Sequence, residues 1–119
     1  MSAFNLNKIV LTGEIADLST AGQIYIPIPD EFDGEVVEIR TVINNAISVA
    51  DATVTAKIGG TAMTGGVITV GYDGSAAGDV DTCRPYAANT VRAGQAIEIE
   101  TDGGSTTACK VGVSVVIRR

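Results

Sequence analysis

The chain has 119 residues, a hydrophobic fraction of 45%, only 4% aromatic residues and a formal net charge of −6. One domain of this size can bury a core without help from metals or disulfides. The sequence holds no histidine, which removes imidazole acid–base chemistry, the common catalytic triads and most zinc sites. The acidic charge opposes binding to nucleic-acid phosphates or anionic membranes, and no apolar run approaches the ~20 residues that a spanning helix needs.

The opening MSAFNLNKIVLTGE lacks a charged segment followed by a long apolar one, so no secretory leader is expected and the default compartment is reducing. Residues 1–7 read as an N-terminal arm and residues 8–119 as one β-sandwich domain. Phe4 and Leu6 in the arm are apolar side chains near a free end, with Lys8 as a cation beside them. Such residues are wasted unless buried, either on a partner or by closing this protein's own sandwich.

Lys8–Ile15 is the first expected strand, with Ile9 and Leu11 on one face and Val10 and Thr12 on the other. After a polar turn at 17–22 comes QIYIPIP, residues 23–29, an edge strand or one that stops at Pro27, because proline cannot donate to a ladder. DEFDG at 30–34 is an acidic turn. The next strand alternates Val37, Ile39, Thr41 and Ile43 against Glu38 and Arg40. The following one alternates Val54, Ala56 and Ile58 against Thr53, Thr55 and Lys57. Gly59-Gly60 and Gly65-Gly66 each read as hairpin turns, since glycine takes positive φ without strain.

Residues 71–94 form the longest irregular stretch, with room for a short strand at Val80–Cys83. Gln95–Thr101 points Ile97 and Ile99 inward and Glu98 and Glu100 outward. Thr107–Arg118 reads as the last and longest strand, its apolar face formed by Cys109, Val111, Val113, Val115 and Ile117. The only helix candidates, 46–52 and 87–91, are short. The pattern predicts an all-β antiparallel sandwich, a jelly roll of about eight strands. An immunoglobulin-like sandwich ranks second because the Cys-Trp-Cys signature is missing. The expected core is Val37, Ile39, Ile43, Val54, Ile58, Ile97, Ile99, Val111, Val113 and Val115.

Glu98 and Glu100 could flank a glycosidic bond, but a solvated sheet face with no aromatic platform beside it is the expected reading. Asp73, Asp79 and Asp81, and Asp30, Glu31 and Asp33, lack EF-hand spacing and fit ordinary turns. Neither a metal nor a cofactor is therefore expected. Cys83, placed in the long loop, and Cys109, on a core face, are expected as free thiols.

IPIPDEFDGEVVEIRTVINNAISVADATVTAKIGGTAMTGGVITV, then AANTVRAGQAIEIETDGGST and a Val-rich closing strand, resemble the head decoration, or cement, proteins of tailed bacteriophages. The resemblance runs from about Gln23 onward. It implies a jelly roll made in the host cytoplasm and bound to the outside of an icosahedral shell, with the major capsid protein as partner. It also implies self-association as a dimer or trimer and no catalytic residues. A fibre, tail or glycan-binding β-module is the alternative. The candidate partner-binding residues are Phe4, Leu6, Lys8, Arg118 and Arg119.

Overall fold

The structure, a computed structural model, describes residues 7–119. Among the described residues every regular element is a strand: β1 (Lys8–Ile15), β2 (Gly22–Pro27), β3 (Gly34–Ile43), β4 (Ala52–Ile58), β5 (Thr61–Val70), β6 (Val80–Cys83), β7 (Thr90–Val91), β8 (Ala96–Thr101) and β9 (Val111–Arg118). One sheet runs β1-β9-β3-β6, with β7 also on β3; the other runs β2-β8-β4-β5, and every pairing is antiparallel. From β1 to β4 each strand crosses to the opposite sheet, and β8 and β9 do so again. That wrapped order makes the sandwich a jelly roll. The short β7 is the strand beyond the eight expected.

The core lies between the sheets and is aliphatic, with Ile39, Ile43, Val54, Ile97, Ile99, Val111, Val115 and Ile117 almost fully buried. Alternation is a sound guide along β8 and β9 because each keeps one face inward throughout, apolar except for Thr101 at the end of β8. In β3 it holds for Ile39, Thr41 and Ile43, all buried, and fails only at Val37, where the register against β9 shifts between Val36 and Glu38. This bulge turns Val36 fully inward and leaves Val37 half-buried, correcting the expected face. Ile58, at the end of β4, is likewise only half-buried.

Gly65-Gly66 is a bulge inside β5 and not a hairpin turn. Thr55 pairs with Val67 and Lys57 with Ala62, so residues 63–66 arch out of the ladder. The arch is held by Thr64 N–H donating to Ala87 O at 2.9 Å and Tyr86 N–H donating to Thr64 O at 3.0 Å. Gly65 has φ +77°, and a Cβ there would meet the Tyr86 ring at 2.9 Å; a Cβ on Gly66 would meet Met63 Cβ at 2.8 Å. The real hairpin is at Gly59-Gly60.

β9 begins only at Val111, so β3 and β5, at ten residues each, are the longest strands. The 46–52 and 87–91 segments are not helical. Ile47 instead dips into the core, and Asn89 Nδ2–H donates to Val36 O at 2.7 Å. The long stretch 71–94 is ordered by such contacts, including Gly78 N–H to Ile43 O at 2.7 Å and Ile47 N–H to Ser75 Oγ at 3.0 Å.

Candidate functional site

Three of the five candidate residues meet at one corner. Lys8 opens β1 and Arg118 closes β9, directly across the ladder from each other, with Glu35 of β3 on the far side of Arg118. All three side chains point to the outer face, because Ile117 and Val36 in the next row are buried. Gly34 permits this tight corner: a Cβ there would lie 2.5 Å from Arg118 O. Phe4 and Leu6 lie outside the described residues.

Arg119 has a structural job at the same corner. Its guanidinium lies 4.5 Å from the centroid of the Phe32 ring, and Nη2–H donates to Glu31 O at 2.9 Å. Its backbone N–H donates to Asn7 O at 2.7 Å. Phe32, buried in the DEFDG turn, plugs this end of the sandwich. Sequence reading missed that role because a single aromatic in a turn has no periodicity to reveal it.

A second surface was also missed. Tyr86, 75% exposed, sits on the Gly65 arch at the β5–β6 margin. Arg84 beside it donates to Glu38 at 2.9 Å, and Arg40 holds the other oxygen of Glu38 at 3.0 Å. An exposed tyrosine next to paired arginines is the side-chain set that dominates protein interfaces. Its sequence signal was an Arg-Pro-Tyr run in a long loop, facing two glycines.

The carboxylates resolve mostly into structural roles. Glu100 pairs with Lys57 at 3.0 Å, and this partner raises the lysine pKa. Tyr25 of β2 lies directly across the ladder from Glu98 of β8 and is 60% exposed, so an aromatic platform does stand beside the Glu98–Glu100 face, contrary to expectation. Asp17 accepts from the Ser19 hydroxyl and N–H, from Thr20 and from Cys109 N–H, and the Ser19 hydroxyl leads in holding its pKa down. At Asp102 burial pushes the pKa up, but hydrogen bonds from the Thr53 hydroxyl, Thr53 N–H and Gly104 N–H outweigh it and the net shift is downward. Asp81 goes the other way, raised by burial and by the charge of Asp79. Among the described residues no group of three or more acidic or cysteine side chains is arranged to hold a metal. Cys83 ends β6 as a buried residue and not in a loop; it and Cys109 are free thiols.

No family model matches this chain, and no curated protein matches it in sequence. Among solved structures it is similar to a chain in the acidic stable capsid structure of Helicobacter pylori bacteriophage KHP30, with a TM-score of 0.56 at 12% identity, over 94% of this chain and 87% of that one. It also aligns with a chain of the cyanophage Pam1 capsid asymmetric unit, with a TM-score of 0.48 at 11% identity, over 99% of this chain and 90% of that one. The first likeness shows a shared fold across nearly the whole domain.

Proposed function

We propose that this chain is a structural virion protein: a decoration, or cement, protein that binds the outer surface of a tailed-phage head and contacts its major capsid protein. The observation that carries the reading is the jelly roll shared over 94% of the chain with a chain of the KHP30 capsid structure. The reading agrees with the expectation drawn from the sequence. The role is structural and not enzymatic, and the protein is made in the host cytoplasm and ends on the capsid exterior as a homo-oligomer. A protein that binds only the assembled lattice stabilises it by mass action, and many simultaneous weak contacts supply avidity.

The arm, residues 1–7, is the proposed anchor, with Phe4 and Leu6 inserting into the shell and Lys8, Arg118 and Arg119 supplying cations in an otherwise acidic protein. Arg119 contributes through the backbone-facing corner it already builds with Phe32.

The test is sedimentation with purified shells that lack the protein. Full-length protein should pellet saturably with shells and stay in the supernatant with unassembled capsid subunits. Removing residues 1–6, which keeps the Asn7 carbonyl that Arg119 binds, should leave the melting temperature unchanged and abolish pelleting. Protein that never pellets with shells overturns the reading. The second reading, a glycan-binding fibre or tail module, draws on Tyr25 beside Glu98; it predicts binding to a glycan array that is lost in Tyr25→Ala.

A further inference from the structure

Each sheet of the sandwich ends in two edges, and three of the four are blunted. Edge strand β2 carries Pro27, which has no N–H to offer. Edge strand β5 is interrupted by the 63–66 arch, whose Thr64 is already bridged to Ala87. Edge strand β6 is only four residues long and is followed by Arg84-Pro85. β1 differs: it pairs with β9 without a register shift from Lys8 to Ile15 and contains no proline. Unprotected regular edges are the places where a further strand is added.

The hydrogen-bonding phase of this edge follows from one contact. Arg119 N–H donates to Asn7 O, which puts Asn7 and its odd-numbered successors in hydrogen-bonded register with β9. In an antiparallel ladder the alternate residues then turn their N–H and C=O groups the other way. Lys8, Val10, Thr12 and Glu14 therefore offer their backbone groups to the free edge, and none of them has another backbone partner among the described residues.

The charges on this edge are arranged about its midpoint. Lys8 and Glu14 stand equally far from Leu11, both on the outer face, both exposed. Among the described residues neither forms an ion pair: Lys8 faces Arg118, a like charge, and Glu14 faces Gly112, which has no side chain.

We infer that the β1 edge pairs with the β1 edge of a second copy, antiparallel about a two-fold axis at Leu11, joining the two β1-containing sheets into one. In this register Lys8 faces Glu14 of the second copy, Val10 faces Thr12 and Leu11 faces Leu11. The register obeys the phase: even residues meet even residues, as backbone pairing on this edge requires. Sliding by two residues in either direction keeps the phase but loses both charge pairs, so the charges select one alignment. Ile9 and Leu11, only half-buried at this open side of the core, gain cover from the second copy. The interface is isologous, as a two-fold demands. The inference rests on the self-association proposed above, and its test needs no shell, so it can fail while the capsid reading stands.

The experiment is sedimentation equilibrium and native mass spectrometry of the full-length chain. The wild type should be a dimer in the micromolar range. Lys8→Glu and Glu14→Lys each replace two attractive cross-strand pairs by repulsive ones and should weaken the dimer by about tenfold or more. Mixing the two variants restores both attractions and should give a heterodimer tighter than either homodimer. Thr12→Pro removes an N–H that β9 does not use and should yield a folded monomer. A wild type that is monomeric up to about 1 mM, or trimeric, overturns the inference. So do single charge reversals that leave the dimer unchanged, or a mixture no tighter than its components.

Discussion

Arg119 lies across the ring of Phe32, 4.5 Å from its centroid, and so ties the last residue of the chain to the turn between β2 and β3. The contact joins a cation–π interaction to a hydrogen bond on Glu31 O, a residue whose φ of 64° is itself costly. Arg119→Ala should lower stability by about 0.5–1 kcal/mol, measured by chemical denaturation. Arg119→Lys should recover only part, because an ammonium lacks the flat guanidinium that stacks on the ring. An unchanged midpoint in Arg119→Ala would mean that Phe32 closes the corner alone.

Thr41 and Asp81 face each other between β3 and β6. Thr41 is 1% exposed and its hydroxyl has no hydrogen-bond partner among the described residues. Thr41→Val keeps the shape and removes that unsatisfied group, so it should stabilise the protein by about 1 kcal/mol. Asp81 has a raised pKa, so its folded form favours the proton; stability falls as pH rises from the ordinary aspartate value of 3.8 through the raised one. Asp81→Asn should therefore raise the melting temperature at neutral pH and leave it little changed at pH values below that window.

The acid limb of stability has the opposite sign at Asp17 and Asp102. Both pKa values are lowered in the fold from 3.8, so their contribution is present above that value and is lost as pH falls through the lowered ones. Their contribution to the melting temperature should decline as pH falls through this acidic range. Asp102→Asn should lower stability at neutral pH and make the acidic decline shallower; parallel curves for variant and wild type would remove Asp102 from the explanation.

Burial pushes the Cys83 thiol up to about 11, and Cys109 is 3% exposed. Reactivity follows the thiolate. Both cysteines should resist a thiol reagent at pH 8 in the native protein and react fully in denaturant. Fast native labelling of Cys83 would show that the β6 end opens readily.

What the sequence disclosed, and what it hid, separates along physical lines. β8 and β9 were legible because each buries one face throughout, leaving a clean alternation. The bulge at Val36–Glu38 was not, because two adjacent valines fit either face equally well. Gly65-Gly66 misled because the positive φ that permits a hairpin also permits an arch, and only the approach of Tyr86 distinguishes them. Leu18, Phe32, Ile47 and Val91 are core residues outside long periodic runs, so alternation had nothing to say about them. Of the candidate site, Lys8 and Arg118 are brought together by the β1–β9 ladder, while the Tyr86 surface depends on a contact between distant loops.

The most direct measurement of the central claim is the thermal disruption of purified phage shells with and without added protein. Bound protein should raise the disruption temperature saturably, to a plateau reached when every lattice position is occupied, and the protein without its first six residues should leave it unchanged. A disruption temperature indifferent to the full-length protein at any concentration would contradict a cementing role.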